Sequence, residues 1–402
     1  MGGTLFKQVE EKNRAALLKQ QILNLYILGG DTSITELSKA LMVSVPTVTK
    51  FLGELIEEGF VYDFGKQSNV GGRQPNIYGL NPHAGYFVGV ELRKDTVRLA
   101  AINFKAQVVA NHEERYLVSG NSLESIDRLC GVIRAFIARQ NLAKKKILAI
   151  GVSISGRVNT ESGYSYSYFF VEEQPLVQLL EERLGYTVYI ENDTRAATYG
   201  EYMSGVGDNV KTMLYVNASW GLGLGMVIDG KLFYGKSGFS GEYGHFPMFD
   251  NEVICRCGKR GCLETGASGS AVHRIFLERL GEGRISMLSD RFKNGEEITL
   301  EDILAAVLKE DVLAIEIMES VGHTLGKALA GLINMFNPEL IVLGGTLATT
   351  RDCLMLPVKS AINKYSLRMV SKDTEIKFSK LGESAGVVGA CLLARGKSLH
   401  LL

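Results

Sequence analysis

The 402 residues predict an α/β protein in which a winged helix-turn-helix precedes a two-lobed α/β domain. Three observations lead there. Short apolar-periodic helices around a tight turn, then a glycine-rich hairpin, occupy residues 13–80. A succession of three β-rich runs begins at Tyr86 and starts again at Thr212, which suggests a duplicated unit. Three of the six cysteines fall within eight positions, Cys255 to Cys262, with His245 ten residues ahead of them.

Composition excludes several classes. The chain is long enough for two or three domains with a large core. Lysine plus arginine balance aspartate plus glutamate at 44 each, so no field of one sign steers the whole molecule to nucleic acid or membrane. No run of about 18 apolar residues occurs, and MGGTLFKQVEEKNR is polar, so neither a membrane span nor a signal peptide is expected. A cytoplasmic protein with reduced thiols follows, rather than a disulfide framework.

The first domain is expected to span residues 1–80. NRAALLKQQILNLYILGG places Leu17, Ile22, Leu25 and Leu28 at helical spacing and stops at Gly29-Gly30. Next, TELSKAL predicts a short helix, Met42 to Ser44 a turn, and VPTVTKFLGELIEEG a second helix. Ser44 suits the N-cap and Pro46 the first turn, where its missing N–H is harmless. In such a pair the second helix enters a major groove. Phe51, Leu52, Leu55 and Ile56 are expected to pack it down, leaving Ser44, Thr47, Thr49 and Lys50 toward DNA. Two β-like runs then flank GGRQP, as in a wing, where Arg73 could reach a narrow minor groove or be an ordinary solvated loop tip. Residues 1–80 hold eight basic and eight acidic side chains, so DNA binding requires charge segregated by face or a dimer. Helix-turn-helix pairs also occur in domains that bind only protein.

The second domain is expected over residues 81–402, with lobes of about 81–192 plus a C-terminal helix, and about 193–380. YFVGVELR, TVRLAAINF and AQVVANHEER read as strands, followed by the helix LESIDRLCGVIRAFIARQ and the buried strand KILAIGVSIS. TMLYVNAS, GLGMVIDG, KLFYG and later PELIVLGG repeat the order. The helix before PELIVLGG carries Ile317, Val321, Leu325 and Leu332 on one face, expected in the core. YIENDTRAATYGE runs from strand to helix and leaves Asn192 and Asp193 at the junction. A carboxylate there can bind ligand hydroxyls, take a proton from a hydroxyl that attacks phosphate, or simply cap the helix. Asp193, Glu242, Glu264, Asn192 and His245 together suit a polyhydroxylated ligand.

The cysteine loop admits three readings. Thiolates and an imidazole are donors zinc prefers, and Cys255, Cys257, Cys262 and His245 make a closed Cys3His set, turned by Gly258 and Gly261. Free, partly buried thiols are the plain alternative. A redox pair fits less well, because the usual spacing is Cys-x-x-Cys.

GEYGH, CRCGKRGCLE, ENDTRAA, INMFNPELIVLGG and GESAGVVGA together resemble the ROK family of repressors, open reading frames and sugar kinases, over about residues 82–395. The resemblance implies an actin/hexokinase-like, ribonuclease H-like fold. It implies zinc on His245, Cys255, Cys257 and Cys262, and a sugar bound by Asn192, Asp193, Glu242, His245 and Glu264, with Asp193 in the catalytic-base position. The added winged helix is similar to the regulator branch, which includes xylose and N-acetylglucosamine repressors.

Departures from the family pattern concern phosphate. Family kinases carry D-x-G-G-T-K where this chain has ELRKDT, Glu91 to Thr96; side chains fill the space of the backbone cradle and Asp95 would repel phosphate. The second loop, usually G-T-G, reads Ser219-Trp220-Gly221. Arg195 and Arg157 replace an asparagine and a proline, which would favour an acidic or phosphorylated sugar. The resulting expectation is a transcriptional repressor of carbohydrate genes without kinase activity. It would bind a double-stranded DNA operator, a sugar or sugar-derivative effector and structural Zn2+, as a homodimer or homotetramer. Its rival is an active hexose or N-acetylhexosamine kinase with Asp193 as base; a protein-binding scaffold is a third possibility.

Overall fold

The structure, a computed structural model, describes residues 13–66, 75–93, 95–117, 120–142, 147–171, 173–207 and 210–401. It divides into two compact units: the chain up to Asp193 together with the chain from Val387 on, and Thr194–Gly386. The chain therefore crosses from one to the other twice.

The N-terminal part of the first unit holds α1 (Arg14–Gly29), β1 (Thr32–Ser33), α2 (Ile34–Leu41), α3 (Val45–Glu57), β2 (Val61–Lys66) and β3 (Asn76–Leu80). The strands form an antiparallel sheet in the order β1-β3-β2, a wing beside three helices. Ser33 and Glu36 close a capping box on α2. Met42 then takes a left-handed backbone, and Ser38 Oγ donates to the Val43 carbonyl, which fixes the turn. Ser44 accepts from the Thr47 N–H and caps α3, with Pro46 in the first turn. Val48, Leu52 and Leu55 bury this helix, whereas Ile56 is exposed and Phe51 half-buried, so the packing face is rotated from the expected one.

The face of α1 also differs from the periodicity. Leu17 and Leu28 are exposed, and Ala16, Lys19, Gln20, Ile22, Leu23 and Tyr26 are buried. Long-range partners explain the two polar members. Lys19 Nζ lies 2.7 Å from Glu54 of α3 and 2.6 Å from Glu58 just past its end, and the Gln20 amide donates to the Leu399 and His400 carbonyls. Burial alone would lower the Lys19 pKa, but the two carboxylates carry it above its ordinary value.

The first unit continues with β4 (Tyr86–Leu92), β5 (Thr96–Asn103), β6 (Val108–Arg115), α4 (Leu123–Arg139), β7 (Ile147–Ile154), the hairpin β8 (Val158–Asn159) and β9 (Tyr164–Ser165), α5 (Leu176–Leu184) and β10 (Val188–Asn192). The second contains α6 (Asp193–Ser204, which begins one residue earlier), β11 (Met213–Ala218), β12 (Leu222–Ile228), β13 (Lys231–Leu232), α7 (Gly269–Gly281), α8 (Leu300–Leu308), α9 (Val312–Phe336), β14 (Leu340–Gly344), α10 (Asp352–Tyr365) and β15 (Glu375–Phe378). The two five-stranded sheets have orders β6-β5-β4-β7-β10 and β13-β12-β11-β14-β15. In both, the first three strands are antiparallel and the last three parallel. This is the duplicated actin/hexokinase-like fold. The third strand of the repeat, expected from KLFYG, shrinks to two residues.

Alternation along the strands separates the two faces of the first sheet. Val88, Val90, Ile150 and Val152 join the core with Ile133 and Phe136 of α4 and Leu180 of α5. On the other face Gly89 and Gly151, register partners on β4 and β7, seat the buried C-terminal helix Ala385–Ser398. A Cβ at Gly89 would stand 2.3 Å from the Val387 carbonyl oxygen, and one at Gly151 2.1 Å from that of Ala390. The core of the second unit centres on α9, where Ile317, Val321, Leu325 and Leu332 are all buried. No helix among the described residues is long and apolar enough to cross a membrane.

Candidate functional site

Within the second unit, two glycines bring GEYGH against the sheet. Gly241, at φ +88°, would place a Cβ 1.9 Å from the Leu224 carbonyl oxygen, and Gly244 would place one 2.3 Å from that of Leu222. Only a residue without a side chain fits either approach. Between them Glu242 precedes a short 3-10 turn that presents His245. The Tyr243 hydroxyl donates to the Ala328 carbonyl at 2.6 Å, anchoring the turn to α9, and burial pushes its pKa up to about 12.

The cysteine loop folds back on the same turn. Pro247 bridges to Cys262 and Ile254 to Arg260, and the Gly258 N–H donates to the Cys255 carbonyl. One donor atom from each of His245, Cys255, Cys257 and Cys262 lies within 4.8 Å of the others, a set that can hold a metal ion. Cys255 Sγ is 3.6 Å from His245 Nδ1, and Cys257 Sγ is 3.7 Å from Cys262 Sγ, too far for a disulfide. Burial pushes the Cys255 thiol up to about 12. His245 Nε2 is turned the other way and stands 3.6 Å from Glu242 Oε2. Two residues past Cys262, Glu264 is 4% exposed; it accepts from the Leu222 N–H at 3.0 Å and pairs with Arg256 Nε at 3.2 Å. The loop thus brings Glu242, His245 and Glu264 together with the three cysteines.

The other two predicted sugar residues belong to the first unit. Asn192 ends β10, and its Nδ2 donates to the Gly156 carbonyl and to Asp193 Oδ1, both at 2.9 Å. Ser155 Oγ donates to Asp193 Oδ2 at 2.6 Å. Ser155 was not singled out from the sequence. Its signal is position, directly after the buried strand β7 and therefore at the same sheet edge as the end of β10. Arg195, expected to favour an acidic ligand, is buried; it donates to the Gly238 carbonyl at 2.7 Å and stacks on Tyr234. Arg157 is exposed.

Two further segments are those that depart from the family's phosphate motifs. Arg93 Nε faces Glu91 Oε1 at 3.3 Å, and the Arg93 N–H donates to the Thr96 carbonyl; Lys94 lies outside the described residues. Burial raises the Glu91 pKa. At the second loop, Gly269 N–H donates to the Ser219 carbonyl, Ser270 N–H to the Trp220 carbonyl and Thr346 N–H to Ser219 Oγ. The amides at the start of α7 are therefore already satisfied. The Trp220 indole, 41% exposed, lies 5.5 Å from the His273 ring.

Of the predicted DNA-facing residues, Ser44, Thr49 and Lys50 are exposed and Thr47 is half-buried. The Ser44 hydroxyl is shared with capping and with Thr47 Oγ1, and Lys50 Nζ sits 5.4 Å from the Phe51 ring centre. Arg73 lies outside the described residues. Lys19 offsets one of the two negative charges of Glu54 and Glu58 at the C-terminal end of α3.

A winged helix-turn-helix joined to a duplicated sugar-kinase-like fold defines the class of protein. The ROK family model matches residues 87–397, and a model described as winged helix-turn-helix DNA-binding matches residues 17–62. The chain belongs to the ROK family. It is similar to a xylose repressor of Caldicellulosiruptor bescii, 29% identical over 391 residues, covering 96% of this chain and 95% of the relative. A glucokinase of Halalkalibacterium halodurans is 30% identical over 321 residues, 77% of this chain and 95% of the relative. Among solved structures, a ROK family transcriptional regulator described as a homologue of the E. coli MLC protein superposes with a TM-score of 0.82 at 27% identity. That match covers 95% of this chain and 97% of the other.

Proposed function

We propose that the protein is a transcriptional repressor of genes for sugar use, which binds operator DNA through the winged helix and a sugar or sugar derivative through its kinase-like domain, without phosphoryl transfer. The observation that carries this reading is the asymmetry of the two halves of the ligand machinery. On the sugar side, Glu242 and His245 face each other in the second unit, and Asn192 and Asp193 are bonded to each other at the end of the first. On the phosphate side, the amides of Gly269, Ser270 and Thr346 around the second loop are bonded inside the protein, and the Glu91 and Arg93 side chains occupy the first loop. Full-length similarity to a xylose repressor, reader included, supports the same conclusion.

In this reading Asn192, Asp193, Glu242, His245 and Glu264 bind the effector, and α3 with Lys50 and the wing contacts the operator. Burial of Arg195 removes one argument for a phosphorylated effector and leaves Arg157 as the remaining basic candidate. Zinc is the metal that suits the Cys3His set. With Zn–S of about 2.3 Å and Zn–N of about 2.0–2.1 Å, tetrahedral coordination requires S–S edges of about 3.7–3.8 Å and N–S edges of about 3.5–3.6 Å. The Cys257–Cys262 edge of 3.7 Å and the Cys255–His245 edge of 3.6 Å fit. Four protein donors leave no open position, so the ion would pin the loop. A metal on Nδ1 leaves the Nε2–H of His245 to donate to Glu242 or to a ligand hydroxyl.

Transmission to DNA has a physical route. Glu201 of α6 accepts from Ser379 Oγ, Lys380 N–H and Leu381 N–H, so it ties the first crossing helix to the segment that leads into the second. That second crossing is the C-terminal helix, whose far end offers the Leu399 and His400 carbonyls to Gln20 of α1. A homodimer would place two readers on two half-sites, and effector binding would change their fit. Gel-shift titration with the gene's upstream DNA tests the reading; no binding at moderate salt rejects it. The kinase alternative is favoured by the glucokinase relative and by the Asp193 carboxylate. Hexose-dependent ATP turnover above background in a coupled assay would establish it.

A further inference from the structure

The segment from Gly156 to Val171 carries an aromatic array that the sugar-side residues do not account for. Tyr164 and Tyr166 lie two apart around β9 and project to the same side, while Ser165 between them is buried. Their ring centres are 6.3 Å apart with planes inclined by 24°, and Phe170 continues the row, 6.0 Å from Tyr166 at 30°. Tyr166 is 47% exposed. The row is held at some cost. Phe169 is buried with φ +56°, a left-handed conformation that a bulky residue adopts only where its surroundings impose it. That backbone turns the Phe169 ring into the core, and the next residue, Phe170, stacks on Tyr166, its N–H accepted by Asn121 Oδ1.

The root of this segment is bonded directly to the first-unit effector residues. Ser155 donates to Asp193, the Gly156 carbonyl accepts from Asn192, and the Arg157 carbonyl accepts from the Tyr166 N–H. The segment that carries the three rings is therefore tied at its root to Asn192 and Asp193, with the exposed Arg157 at the start of the segment. Flat aromatic faces with hydrogen-bonding edges suit the mixed surface of a pyranose, apolar on its C–H face and polar around its rim.

We propose that Tyr164, Tyr166 and Phe170 form a second saccharide subsite, and that the effector is a glycoside of at least two rings. This rests on the effector reading above. The test is calorimetric titration of the full-length protein with matched pairs: glucose and cellobiose, xylose and xylobiose, N-acetylglucosamine and its β-1,4-linked dimer. For the pair that binds, the dimer is expected to bind at least about tenfold tighter than its monomer. Tyr166→Ala should abolish that difference and leave monosaccharide binding within about twofold, whereas Tyr166→Phe should retain it, with melting curves confirming that both variants fold. A monomer that binds as tightly as its dimer, or a Tyr166→Ala loss shared equally by both, overturns the subsite alone. Binding of no saccharide of either length overturns it together with the effector reading.

Discussion

The same substitution, glycine to alanine, should have opposite effects at two positions of the first unit. At Gly151 of β7 the added methyl would lie 2.1 Å from the Ala390 carbonyl oxygen and 3.3 Å from Ala394 Cβ. Close carbon–oxygen contacts sit at about 3.3 Å or more, so the C-terminal helix must lift by roughly 1 Å. Forcing a methyl into such a packed seam costs about 1–3 kcal/mol. At Gly131, inside α4, a Cβ meets nothing within 4 Å, and alanine gains about 1 kcal/mol from helix propensity and a less disordered unfolded chain. For a body of this size 1 kcal/mol moves the melting temperature by about 2–4 °C. Gly151→Ala should therefore melt roughly 2–12 °C lower than the wild type, and Gly131→Ala roughly 2–4 °C higher, in circular-dichroism melts of the full chain. Gly151→Ala should also weaken operator binding, because the carbonyls that accept from Gln20 ride on the displaced helix. A Gly151→Ala protein that melts at or above the wild type would refute the seating of that helix on Gly89 and Gly151.

Three further outcomes are expected. Cys262→Ser should reduce bound zinc from one equivalent to none by elemental analysis, with a lower melting temperature; retained stoichiometric metal would contradict the four-donor site. Gln20→Ala removes a buried amide that serves two carbonyls, at about 1–3 kcal/mol. Fluorescence anisotropy on operator DNA should show a blunted response to effector, and an unchanged response would exclude this contact from the signal route. The Arg291 guanidinium, with the Thr299 N–H, holds the Asp302 carboxyl down at about 2. Because the folded value is depressed, its contribution is complete above the unfolded value near 4 and disappears as pH falls from there toward 2. Asp302→Asn should cost about 1–2 kcal/mol at pH 7 after allowance for solvent screening, and the gap should close in urea titrations near pH 2.

What the sequence made legible was local. Ser44 and Pro46 marked the start of α3, and the stripe from Ile317 to Leu332 marked the buried face of α9, because caps and helical periodicity depend on neighbours within a turn or two. The donor set of the cysteine loop was legible for the same reason, with all four residues within eighteen positions of one another. What escaped was long-range. Lys19 and Gln20 look like solvent positions on α1, yet both are buried by partners on α3 and at the far end of the chain. Arg195 reads as a ligand contact in the sequence, yet it is buried against the Gly238 carbonyl and the Tyr234 ring. Ser155 has no motif of its own, and only the parallel pairing of β7 with β10 places it on Asp193.

A ligand domain without phosphoryl transfer and an attached DNA reader, as proposed above, are connected energetically. A kinase uses ligand binding to hold reactants for transfer, so interactions are best placed on the transition state. A receptor must instead bind its ligand differently in two conformations, and only that difference shifts the population. A hundredfold change in operator affinity requires about 2.7 kcal/mol of coupling, within the usual range for allosteric proteins. The buried amide of Gln20, donating to two carbonyls at the end of the helix that leaves the second unit, is worth about 1–3 kcal/mol when its partners move away. One such contact is of the required size. In the proposed reading, a sugar-driven displacement of that helix by about an ångström releases DNA without unfolding any element.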